Sequence, residues 1–340
     1  MIVSLVTGIL AYLTLGTASP EGDSDAFKLT HKAHERWDYV LPAERWQRVQ
    51  SQIVLPGGVS FMTETDGPMK IRVDTNGDGR VDKDVRGQTG GFLTLRGKGE
   101  EGEKIRYSIR LRNVAAGKWE WSTGSSRSGT VNGKLVHVFD QNGNGEYDDY
   151  GIDALAVGKQ RHASLLSKVT RIGDELVHFD VSTDGTRVAV RDYDGPTGTL
   201  NVQAGFESRG KLVAAVFRDG DLSFEVAGDR RGVEIPAGRY EFVSGRLTKG
   251  SATASIRRGK FRPVEVQEGE ITELEWGEEV AGTFNYSQNG DQVTVRADFG
   301  IFGMAGEEYY DFEPRGKGPK ILVKDAKRGR EIREGRFRES

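Results

Sequence analysis

A chain of 340 residues, 36% of them hydrophobic, can build two or three domains of about 100–200 residues each around real hydrophobic cores. The net charge of −3 gives no general attraction to nucleic acid or to an anionic membrane surface, and neither is expected as a partner. Cysteine is absent, which removes disulfides, thiolate metal sites and thiol catalysis together, while 46 glycines against only 9 prolines call for many tight turns.

In chain order, Ile2 to Leu15 form a short, mostly apolar run, and Gly16-Thr17-Ala18 follow as a small-x-small cleavage signature. The run is too short to cross a bilayer comfortably and reads as a signal peptide over residues 1–18, so the chain is expected to be secreted, periplasmic or at the cell surface. Residues 19–68 hold Phe27, Trp37, Tyr39 and Trp46 in a mixed segment that should pack on the domain after it, with a short helix over Pro42 to Gln52.

From 69 to 194, period-two runs such as FLTLRG, KIRYSIRLR, KLVHVF, LVHFDVS and TRVAVRDY alternate with glycine turns and predict a first β domain. A second short helix is expected over His162 to Thr170, where Leu165, Leu166 and Val169 can form one apolar stripe. Strand patterns then recur through residues 195–279, as in a β-sandwich. The last segment, 280–340, pairs FNYSQ with QVTVRADF across Asn289-Gly290-Asp291, a strong hairpin signal, and reads as a small Ig-like β domain. The expected fold class is all-β: tandem β-sandwich domains with little helix.

Two acidic, glycine-studded loops in the first β domain carry most of the functional signal. In DTNGDGRVDKD, Asp74, Asn76 and Asp78 stand at alternate positions, Gly79 is sixth, Arg80 offers its carbonyl, and Asp82 is ninth. This spacing wraps hard oxygen ligands around one Ca2+. An EF-hand would close with a bidentate glutamate at the twelfth position, but that position is Val85, and the nearest substitute is Asp84. The flanking Met69, Ile71 and Val73 alternate at period two, so the loop is strand-borne.

The second loop repeats the pattern with Asp140, Asn142 and Asn144, then Gly145, Glu146 at the carbonyl position and Asp148 at the ninth, followed by Asp149 and Asp153. Its twelfth position is Gly151, and two of its first three ligands are neutral amides. It should therefore bind more weakly than the first, unless Asp149 or Asp153 folds back. For both loops the competing reading is structural, since Asn-Gly and Asp-Gly also favour two-residue hairpin turns.

Other features are weaker. Trp119 and Trp121 fall on one strand face, where paired indoles either stack on a sugar or fill a core, core filling being the commoner use. Glu307, Glu308, Asp311 and Glu313 supply carboxylates for a hydrolase, but no spacing shows a pair across a cleft. Gly97, Gly99 and Gly102 spell GxGxxG without the βαβ context that a dinucleotide needs.

The segment VEIPAGRY, Val233 to Tyr240, resembles the turn-then-strand signature of prealbumin-like and carboxypeptidase-regulatory-like β-sandwiches. That resemblance implies a stalk, spacer or binding platform around a core tyrosine. Taken whole, the chain resembles a group of secreted multi-domain β proteins of planctomycete-type bacteria, through DTNGDGRVDKDV, DQNGNGEYDDYGIDA, YDGPTGTL, IPAGRY and KILVKDAKRGREIREGRF. The likeness carries no established activity with it. The expectation is a secreted calcium-binding protein of structural or adhesive role, with cell-surface polysaccharide or protein as partner. The alternatives are a carbohydrate-binding module using Trp119 and Trp121 and a carboxylate-dependent hydrolase.

Overall fold

The computed structural model describes residues 25–55, 58–99, 102, 104–290, 292–314, 316, 318–325 and 327–337. The expected signal peptide, 1–18, lies outside the described residues. Thirty strands and no helix form among them, so the fold is all-β, in several sheets whose pairings are antiparallel with one parallel exception.

Three apolar cores organise the sheets. The first lies between the meander Gln52–Val54, Ser60–Thr65, Lys70–Val73 and Lys83–Arg86 and the sheet of Gln47–Arg48, Lys118–Thr123, Lys104–Ala115 and Gly91–Lys98. Alternate residues face inward, as period two requires: Ile71 and Val73 from one sheet meet Tyr107, Ile109, Leu111, Trp119 and Trp121 from the other. The second core joins Val136, Val138 and Leu155 to Val177, Phe179, Val188 and Val190 of a four-stranded sheet. The N-terminal segment is woven into both sheets there. Asp25–Lys28 pairs with Arg187–Asp192, and Thr30–Ala33 pairs with Ser125–Val131.

The third core is built on Phe217, Tyr240, Phe242, Phe261 and Trp276. Here Thr197–Glu207 pairs in parallel with Ile271–Gly277, and the Trp276 indole donates to the Val202 carbonyl at 2.9 Å. Tyr240 is fully buried, and its hydroxyl donates to the Pro236 carbonyl at 2.9 Å, which ties the IPAGRY turn to the strand that follows it. The expected boundary at 280 falls inside one continuous sheet, because Ala252–Arg257 pairs with Glu308–Glu313, which pairs in turn with Gln292–Phe302.

Neither expected helix forms. Within Pro42 to Gln52, Gln47–Arg48 is instead a strand paired to Glu120 and Trp121. In His162 to Thr170, Ser164–Leu165 pairs with Ala154–Leu155, and Val169–Ile172 opens a hairpin. The apolar spacing that suggested a stripe arises because Leu166 points into the second core and Val169 into the third. Two-sided burial of an extended chain places apolar residues as closely as one helical face does.

A smaller cluster of Tyr39, Leu41, Phe139 and Ala163 sits beside His34 and His137. The buried Ser126 hydroxyl bridges His34 Nε2 and His137 Nδ1, each at 3.0 Å. Burial first, and then neighbouring cations, hold His31, His34 and His137 down at about 4. The unfolded chain takes up these protons near pH 6.5. The folded chain refuses them until about pH 4, so their contribution to stability is complete above 6.5 and drains away as the pH falls across that window. Imidazole NMR should find His34 and His137 still neutral at pH 5.5, and titration of both near 6.5 would contradict this packing.

Candidate metal centre

The first acidic loop joins the paired strands Lys70–Val73 and Lys83–Arg86. Asp74 is buried at its base, and its carboxylate is wrapped by three backbone amides. Oδ1 accepts from Asn76 N at 3.0 Å and Gly77 N at 2.8 Å, and Oδ2 accepts from Gly79 N at 2.9 Å. Asn76 Oδ1 accepts from Asp78 N, and Asp78 Oδ1 accepts from Arg80 N. Asn76, Asp78 and Arg80 themselves face solvent.

Two of the first loop's expected ligands are turned elsewhere. Asp82 accepts from the amide and hydroxyl of Thr75, at 2.7 and 2.8 Å. Asp84 is a strand residue beside Lys70, Arg72 and Arg86, at 3.1, 3.6 and 3.2 Å. Hydrogen bonding to Lys70 is the first cause of its carboxyl being held below the usual range. It is neutralised by protein cations and does not substitute for the missing twelfth-position glutamate.

The second loop leaves Lys134–Phe139 and re-enters the same sheet at Ala154–Val157. Its winding repeats the first. Gly77 and Gly79 have φ of 72° and 80°, and Gly143 and Gly145 have 74° and 82°, a left-handed geometry that glycine adopts without a Cβ penalty. Asp140 Oδ1 accepts from Gly143 N at 2.7 Å and Asn144 N at 3.1 Å, and Oδ2 accepts from Gly145 N at 2.7 Å. The Asn144 amide is shared with Asn142 Oδ1, also at 3.1 Å.

Depth separates the two loops. Asp140 and Asp153 are both fully buried, and Tyr107 of the first core donates its hydroxyl to Asp140 Oδ2 at 3.0 Å. Burial raises the Asp140 carboxyl, against the opposing pull of the loop amides and this hydroxyl. Asp149 Oδ2 gathers the side-chain amides of Asn142 at 2.7 Å and Asn144 at 2.6 Å. Glu146, Asp148 and Asp149 bring carboxylate oxygens within 4.8 Å of one another, and no trio in the first loop comes as close among the described residues.

Asp153, two positions beyond the twelve-residue frame, is the residue that frame counting passes over. Neither of its oxygens has a hydrogen-bond partner. Burial, followed by the Asp140 and Asp149 carboxylates, pushes it up to about 9; the Gln141 and Asp149 amides lie close enough to oppose this, but outside hydrogen-bond geometry. The visible signal was an aspartate directly before the apolar run ALAV, where an outward turn residue would be expected.

Four of the remaining candidates serve the structure. Trp119 and Trp121 are 1% and 2% exposed, so they fill the first core and neither offers a face to a sugar. Glu307 is fully buried and accepts from the Gly277 and Ala305 amides and the Tyr309 hydroxyl, while Glu308 pairs with Arg257. Neither of these carboxylates is left free for general acid or base work.

No protein-family model, curated protein or solved structure matches this chain. The geometry of the site itself must therefore carry its assignment, and the contact that joins loop to core is the one to break first. Tyr107→Phe removes the side-chain hydroxyl that donates to Asp140 while keeping the ring in the core. Loss of a hydrogen bond to a buried charge should cost about 1.5–3 kcal/mol in urea unfolding. A change under about 0.5 kcal/mol, the scale of an ordinary surface substitution, would mean the carboxylate does not depend on it.

Proposed function

We propose that this chain is a calcium-binding β protein of structural or adhesive role, acting in an extracytoplasmic compartment. The supporting observation is the twin cradle: two loops distant in sequence wind the same pair of left-handed glycines around a buried first-position aspartate. A hairpin turn alone requires no such carboxylate. The donor set is oxygen only, which suits Ca2+ and disfavours softer metals. The ion acts by linkage, because it binds the wound loops and not the extended chain. A chain without cysteine gains in this way a cross-link that survives oxidising and reducing conditions alike. Secretion, which the run Ile2–Leu15 supports, would expose the loops to millimolar calcium. Cell-surface polysaccharide or protein is the proposed partner class.

The test is a calorimetric melt of the full chain in millimolar calcium and again in excess EGTA. With the ion about tenfold above its Kd, each occupied site should add about 1.4 kcal/mol and raise the transition by a few degrees. Superimposable melts would overturn the calcium reading and leave both loops as hairpin turns.

A further inference from the structure

Where the second and third cores adjoin, the fold leaves a pocket of about 400 Å3, within the range of small-ligand sites. Val157, packed on the second core, lines it together with Phe224 and Val233 of the third. Its charged lining residues gather at two turns. At the Gly173 turn, Lys134 Cε lies 3.3 Å from the place a glycine Cβ would take, and Arg171 Nε donates to the Gly173 carbonyl at 3.2 Å. At the Gly228 turn stand Glu225 and Asp229. Glu225 Oε1 accepts from Ala215 N at 3.2 Å and Ala227 N at 2.8 Å, while Oε2 lies 3.4 Å from the place a Gly228 Cβ would take.

Two of these four charges are partly answered by the protein. Arg171 has Asp174 at 3.5 Å, and Asp229 has the Arg231 amide at 2.9 Å and its guanidinium at 3.8 Å. Lys134 and Glu225 form no ion pair among the described residues, with each other or with any third group. Such a pocket disfavours a ligand of one sign. A simple anion drawn to Lys134 would leave Glu225 unmet, and a simple amine drawn to Glu225 would leave Lys134 unmet. A neutral sugar lacks a surface to stack on, because the Phe224 ring is buried in the third core with Tyr240 edge-on to it at 6.2 Å.

We propose that this pocket binds a small zwitterion, a free amino acid or a short peptide, with its ammonium end at Glu225 Oε2 and its carboxylate end at Lys134 and Arg171. The buried hydroxyls of Ser164, Thr170 and Ser223, which also line the pocket, supply hydrogen bonds to the ligand's remaining polar groups. No residue of either acidic loop lines the pocket, so the site stands independently of the calcium reading.

The experiment is calorimetric titration of the full chain at pH 7.5 with the common free amino acids, dialanine and trialanine, the peptides also in N-acetylated and C-amidated form. Burial holds the Glu225 carboxyl up to about 7, and a peptide amine titrates at about 7.7–8.0, so both are mostly charged at that pH. At least one unblocked zwitterion should bind. Blocking either end of a bound peptide should weaken it about tenfold or more, the scale of one lost hydrogen bond to a charged group. Glu225→Gln keeps the oxygen that accepts from the two amides, and it should bind free and N-acetylated peptide alike. Lys134→Met, at an exposed position, should narrow the gap between free and C-amidated peptide, and it decides the matter should Glu225→Gln fail to fold. A free amino acid bound as tightly as either peptide would identify the amino acid as the ligand, and tighter peptides would identify a peptide. No binding by any zwitterion, equal binding of blocked and free peptides by wild type, or binding that neither substitution changes would overturn the proposal.

Discussion

The arrangement of the N-terminal half depends on how one carboxylate, that of Asp140, is taken out of water. A buried anion is tolerated only when its lone pairs are filled, and an aspartate offers about four sites to fill. Three donors come from the loop itself, which must curl through two left-handed glycines to aim them. The fourth, Tyr107, comes from a strand of a different core. Satisfying one side chain thus sets both the loop's conformation and the register of one core against the next. Gln141 extends the tie, with its carbonyl accepting from Arg45 N and its side-chain oxygen from Ala43 N.

The two acidic loops show how little of a metal site is contained in its spacing. Their first six positions fold alike, since glycine geometry and the aspartate cradle are local properties. The surroundings decide the positions after the sixth. The first loop stands at the end of a meander, its later acids facing solvent or strand-borne cations. The second is threaded between cores, and the chain after it must re-enter a sheet at Ala154. That return carries Asp153 inward, where the dielectric is low and a charge has no water to face. The loop with fewer acids among its first three ligand positions is thus the one that carries two of its acids, Asp140 and Asp153, fully into the interior.

The strands were largely legible in the sequence, because alternation in runs such as KIRYSIRLR and KLVHVF reflects a pleat with one face buried, a property that survives any assembly. The turn before Tyr240 was legible for a related reason, being settled within a few residues. Segment 162–170 was misread because its apolar residues serve two different cores, and period cannot tell two-sided burial from a helical stripe. The sharing of one sheet across residue 280 was hidden, since pairing between Ala252–Arg257 and Glu308–Glu313 is long-range. Asp84 looked like a ligand only because the sequence does not reveal the three cations that the meander places around it.

The treatment of carboxylates elsewhere in the fold gives Asp153 its weight. Glu307 is as deeply buried, yet it is met by two amides and a tyrosine hydroxyl. Asp74, buried in the sister loop, has its three amides. Glu225 has burial pushing it up to about 7, and still it accepts from the Ala215 and Ala227 amides. The fold thus supplies donors to buried acids repeatedly, and Asp153 alone among the described carboxylates has buried oxygens left without one. An isolated lapse would cost the native state several kcal/mol with no return. Burial and the neighbouring Asp140 and Asp149 carboxylates push Asp153 up to about 9, so this fold limits that cost by keeping the carboxyl neutral and not by supplying donors.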